Sequence, residues 1–173
     1  MFEGWSEYFF MIGSSAAALI GLMFVVVTLT AGRDRQEVER GKQLYTSPIV
    51  WHLAVILVLS GLAIAPTLGP KLFGIASGGL ALLGIAIGLR SAFGIRRRPG
   101  APEAATFDMF WYGLGPAIVY VGLAVGAFAV IRHAGWGVTA CAVDLMALLL
   151  VSIHAEWDLV TYLAPLAGPG DRS

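Results

Sequence analysis

The stretch Tyr8-Phe-Phe-Met-Ile-Gly-Ser-Ser-Ala-Ala-Ala-Leu-Ile-Gly-Leu-Met-Phe-Val-Val-Val-Thr-Leu-Thr-Ala31 contains no charged residue, and Arg33-Asp-Arg-Gln-Glu-Val-Glu-Arg40 stands just beyond it. About 20 apolar residues in a helix cover the hydrocarbon of a bilayer. In lipid every backbone N–H and C=O must be satisfied within the segment, which makes such a segment helical. The stretch therefore reads as a transmembrane helix over 8–31, and the charged octet stops it. The opening Met1-Phe-Glu-Gly-Trp-Ser-Glu7 has no positive n-region, so the first span reads as retained and not as a signal peptide.

Four further segments read the same way, over 48–65, 71–91, 108–131 and 135–163. Pro48 suits a first helical turn and Pro66 ends the second span. Arg96-Arg-Arg-Pro99 stops the third, and Pro165 with Gly168-Pro-Gly170 stops the fifth. Gly113 and Gly115 precede Pro116, which predicts a kink in the fourth. Composition agrees. Hydrophobic residues make up 58% of the chain and charged ones 13%, against about 25% charged in soluble domains. The fold class expected is all-α: a polytopic bundle of about five transmembrane helices in a single domain, 1–173. Links at 66–70 and 132–135 are short enough to make neighbouring helices antiparallel. The longest links, 32–47 and 96–107, leave no room for a soluble domain.

Loop charge predicts orientation. Arg33, Arg35, Arg40 and Lys42 follow the first span. Arg96, Arg97 and Arg98 follow the third with Arg90 at its edge, and Arg172 is in the tail. The other side has Lys71 and Arg132. The N-terminus is expected outside and the C-terminus in the cytoplasm. Trp5 and Trp136 then fall at the outer boundary, and Trp51, Trp111 and Trp157 at the inner one.

Small residues recur four apart: Gly13, Ala17 and Gly21; Gly74 and Gly78; Gly84 and Gly88; Gly122 and Gly126. Such spacing lets helix backbones approach closely. It serves either oligomerisation or packing within one subunit. The stretch Gly13-Ser-Ser-Ala-Ala-Ala-Leu-Ile-Gly-Leu-Met-Phe-Val-Val-Val-Thr-Leu29 resembles the opening helix of small uncharacterised bacterial multi-span proteins, with their Ala-rich run and Gly-Leu-x-Phe-Val pattern. The resemblance implies a bacterial inner-membrane location and brings no activity with it.

Asp144, within Gly137-Val-Thr-Ala-Cys-Ala-Val-Asp-Leu-Met-Ala-Leu-Leu-Leu-Val151, is the one carboxylate near the centre of a long apolar run. A charge at mid-bilayer costs roughly 3 to more than 10 kcal/mol, so such a residue needs a partner, water or a proton. At 100° per residue, Asp144, Asp158 and Tyr162 share one stripe of the fifth helix, completed by Val151 and Ala155. His154 and Asp158 form an i, i+4 pair. Tyr120 is expected at nearly the depth of Asp144, as a candidate hydrogen-bond partner for it, and His52 at the level of His154 and Asp158. Arg90 is a candidate ion-pair partner for Glu156 or Asp158. Ser14, Ser15, Ser60 and Ser77 suit hydrogen bonds to their own backbone, and His133 falls in a solvated outer loop.

Three readings compete for these residues. In one, Asp144, Tyr120, Asp158 and His154 form an ion path, with His154 and His52 exchanging protons at the cytoplasmic face. In another, His52, His154, Asp158 and Glu156 ligate a metal, or the two histidines a haem. In the third, these groups are polar anchors that fix packing. Nothing selects an enzyme: phosphate loop, His-Glu-x-x-His and nucleophile elbow are all missing. Cys141 stands alone, so no intrachain disulfide forms. A net charge of zero gives no field for nucleic acid. The leading expectation is a small oligomeric inner-membrane protein forming a channel-like, proton- or cation-conducting assembly. The alternative is a non-catalytic accessory or scaffold subunit of a larger membrane complex, and a metal- or haem-binding membrane protein ranks third. No cofactor is expected. The partners expected are the bilayer, further copies of the chain and other membrane subunits.

Overall fold

The computed structural model describes residues 2, 4–30, 47–66, 68–96 and 110–163. The basic residues Arg33, Arg35, Arg40, Lys42, Arg97, Arg98 and Arg172, the link 97–107 and the breakers after 163 lie outside them.

Five helices make up the described chain: α1 (Ser6–Thr30), α2 (Ser47–Ile64), α3 (Pro70–Arg96), α4 (Gly115–Ile131, entered through a π-helical turn at Phe110–Leu114) and α5 (Gly137–Leu163). Among the described residues there is no strand. Four segments are long and apolar enough to cross a membrane: Ser6–Val26, Pro70–Phe93, Phe110–Ile131 and Gly137–Thr161. The apolar part of α2, Pro48–Ile64, is shorter. It packs against α1, α3 and α5. Ile49, Leu53, Ile56 and Leu59 are fully enclosed there.

Helix ends depart from expectation in one place. The third span was expected to close at Ser91, yet α3 continues to Arg96. No proline or charged run interrupts Ala92-Phe-Gly-Ile95, and an arginine such as Arg90 is a good helix former. The link between α4 and α5 is a Schellman motif. The Ala134 N–H donates to the Ala129 carbonyl at 2.9 Å and the His133 N–H to that of Val130 at 3.0 Å. This puts His133 at φ 58°, where glycine is the usual occupant. Gly137 then touches the Ala129–Val130 backbone, where a methyl group would sit 2.6 Å from the Val130 nitrogen.

Close glycine contacts set the directions of the helices. Gly74 meets Ala127 and Ile131, and Gly88 meets Gly113 and Ala117, so α3 and α4 are antiparallel. Gly126 meets Cys141, and Gly122 meets Asp144, so α4 and α5 are antiparallel. The Tyr8 hydroxyl donates to the Ala142 carbonyl at 2.9 Å, while Leu22 and Met23 lie beside Ile153 and Leu159. Hence α1 and α5 run in the same direction. The rings of Phe2, Phe9 and Phe73 meet edge to face where α1 and α3 begin.

Outward-facing positions are large and apolar: Phe10, Leu22, Phe24, Leu82, Phe93, Phe128 and Leu150 are all exposed. A continuous apolar surface of this kind is a liability in water and suits lipid.

Candidate functional site

Pro116 determines how α4 begins. It has no N–H to donate to the Tyr112 carbonyl, and its ring crowds that carbonyl. The preceding turn is π-helical, over Phe110–Leu114, a local widening that is frequent at functional positions. Gly113 within it lies against the Ala92 backbone of α3. The turn carries Trp111 and Tyr112 to α5. The buried Tyr112 hydroxyl donates to Asp158 Oδ2 at 2.5 Å. The Trp111 and His154 ring centroids are 4.4 Å apart at 38°. His154 Nε2 lies 3.5 Å from Asp158 Oδ2, and both side chains are 37% exposed. That distance makes an ion pair when His154 is protonated and exceeds a good hydrogen bond. The cluster thus joins a buried phenol to a half-exposed carboxylate and imidazole.

A second cluster lies deeper. His52 of α2 and Tyr120 of α4 are both buried, and Nδ1 is 2.9 Å from the phenolic oxygen. In one tautomer the hydroxyl donates to Nδ1; in the other, Nδ1–H donates to the hydroxyl. The Tyr120 ring fits over Gly84 of α3, where a methyl group would stand 2.5 Å from three ring carbons. Trp51 Nε1, on the residue before His52 in α2, is also buried and has no hydrogen-bond partner among the described residues. Tyr112 and Tyr120 are eight positions apart, about 12 Å along a helix at 1.5 Å per residue.

Asp144 forms a third polar point. It is half-buried on α5, with its carboxylate against Gly122 of α4. Among the described residues none donates a hydrogen bond to it. The absence of a side chain at Gly122 gives the carboxylate its space.

Several expected pairings differ from this geometry. Tyr120 meets His52, not Asp144. His52 sits with Tyr120 and not at the level of His154 and Asp158. Arg90 is exposed, and among the described residues the only ion pair is His154–Asp158, so Arg90 and Glu156 are not joined. Glu156 Oε1 is enclosed and has no hydrogen-bond partner among the described residues. His52, His154, Asp158 and Glu156 do not converge, and among the described residues no three His, Cys, Asp or Glu side chains form a metal-sized group. The Tyr162 side chain lies outside the described residues. Gly74, Gly78, Gly84 and Gly88 face α4, Gly122 and Gly126 face α5, and Gly13 lies 2.9 Å from the Ser60 Cβ on α2 if given a methyl group. Ala17 and Gly21 are exposed. Tyr112, absent from the sequence candidates, had one signal in its favour: a tyrosine in the turn that Pro116 disrupts.

The class that fold and site define is an all-helical bundle, four of whose five helices are long and apolar enough to cross a membrane, with polar clusters strung along α4. No protein-family model, no curated protein and no solved structure matches the chain.

Proposed function

We propose that the chain is a small multi-pass inner-membrane protein that conducts protons or small cations as a homo-oligomer. All five helices cross, with the N-terminus outside and the C-terminus in the cytoplasm. The positive-inside rule supports this orientation, and the parallel run of α1 and α5 fits an odd number of crossings. One observation carries the functional reading: α4 meets a titratable partner at three levels, Asp158 at Tyr112, His52 at Tyr120 and Asp144 at Gly122. Ionisable groups within membrane helices mark ion and proton pathways by default. Phenol, imidazole and carboxylate all exchange protons, and the half-exposed His154 and Asp158 give such a path an entrance. The chain acts without catalysis and without a cofactor, and the path runs along α4 within each copy.

The alternative, a non-catalytic accessory subunit, draws support from the internal closure of two clusters, since Tyr112–Asp158 and His52–Tyr120 satisfy each other. Flux through liposomes separates the two. With a pH gradient imposed, wild type is expected to conduct, and Asp144→Asn and Asp158→Asn to reduce flux severalfold while remaining folded. Wild-type flux equal to empty liposomes at every pH and voltage refutes conduction. Variants that conduct normally and only melt earlier make these carboxylates structural.

A further inference from the structure

Glu156 is the least accounted-for carboxylate in the bundle. It lines a cleft of about 310 Å³ between the last turns of α1 and α5, among Leu22, Met23, Ile153, Trp157 and Val160. Among the described residues its enclosed Oε1 has no hydrogen-bond partner, and none of those lining the cleft is Lys, Arg or His. A buried acceptor left without a donor is costly, and an apolar cleft with one fixed polar group is the usual form of a small-molecule site. Leu22 is 59% exposed and Trp157 66%, so the cleft opens sideways, toward lipid.

We infer that this cleft binds a lipid-soluble amine, its chain along the apolar walls and its ammonium paired with Glu156. Charge decides the class. A lone carboxylate in an apolar trough attracts a cation that brings its own apolar surface, because an inorganic cation would leave the walls uncovered and a neutral chain would leave the carboxylate unpaired. Depth decides the source. Glu156 stands five residues before Thr161, where the apolar stretch of α5 ends, or about 7 Å along the helix. A phospholipid amine resides in the headgroup layer, outside the hydrocarbon. The occupant is therefore a free amphiphilic amine that enters from the bilayer.

The test uses the full chain in nanodiscs and compares dodecylamine with dodecanol, which has the same chain and no charge. Retained ligand is read by native mass spectrometry. Wild type is expected to prefer the amine by about tenfold or more, the factor a charge-assisted hydrogen bond provides. Glu156→Gln removes the preference and leaves the helical circular dichroism unchanged. Ile153→Trp, which fills the cleft and keeps the carboxylate, removes amine binding, and it serves alone if the glutamine variant does not fold. Equal retention of amine and alcohol by wild type overturns the inference. So does a preference that survives both substitutions. Displacement of dodecylamine by phosphatidylethanolamine at equal mole fraction, with no displacement by phosphatidylcholine, overturns it in favour of a headgroup site.

Discussion

Tyr120 is held from two directions. Gly84 leaves room for its ring, and His52 meets its hydroxyl at 2.9 Å. A methyl group at Gly84 displaces the ring and with it the hydrogen bond. Gly84→Ala is expected to destabilise the bundle by about 1–3 kcal/mol, the usual cost of overpacking, when denaturant unfolding is followed by circular dichroism in detergent. Gly79→Ala is the control, because a methyl group there meets open space and an alanine favours helix. Equal losses at both positions would show that the Tyr120 contact has no special weight. The same pair of residues explains a limit of sequence reading. Tyr120 and Asp144 were expected to meet because their depths agree. Depth fixes the level of a side chain and leaves its direction open. Tyr120 and Gly122 are two positions apart, about 200° around the helix; the first faces α2 and α3, the second faces Asp144 on α5. Arg90 and Glu156 fail to meet for the same kind of reason.

Among the elements, the entry to α4 has the most distinctive local physics. Pro116 has no N–H to donate to the Tyr112 carbonyl, the chain widens into a π-helical turn, and Tyr112 reaches Asp158. That the helix is irregular at this point was legible from Gly113, Gly115 and Pro116, though as a kink and not as a π-helical turn. The partner was not, because a π-helical turn rotates the side chains before it by an amount that the α-helical period does not contain. A double-mutant cycle of Tyr112→Phe and Asp158→Asn is expected to give a coupling of about 1–2 kcal/mol. In a Pro116→Ala background, where the restored backbone N–H can again bond to the Tyr112 carbonyl, the coupling should fall close to zero. An unchanged coupling there would mean that the proline does not aim Tyr112. For α2, the sequence indicated existence and approximate limits, 48–65 against Ser47–Ile64 in the structure. Its neighbours were not readable, and they are what puts His52 against Tyr120 instead of beside His154.

For the molecule as a whole, the apolar runs and their charged stops located all five helices, since the demand to satisfy the backbone in lipid leaves few alternatives. The glycine stripes were legible as close-approach surfaces, but their partners were not. The stripe on α3 faces α4 within the chain, whereas Ala17 and Gly21 on α1 stay exposed. Orientation is open to a direct check. Single cysteines between 97 and 107, in a Cys141→Ala background, should resist a membrane-impermeant maleimide applied outside intact cells and react after lysis. Labelling in intact cells would reverse the proposed topology. Conduction is tested most directly by proton flux into liposomes carrying wild type or Tyr120→Phe, a substitution that removes one hydroxyl from the middle of the bundle and keeps the ring over Gly84. The predicted result is wild-type flux well above that of empty liposomes and a drop of about tenfold in the variant, with unfolding unchanged to within about 1.5 kcal/mol. Wild-type flux at the level of empty liposomes, or equal flux from both proteins, contradicts a proton path through His52 and Tyr120.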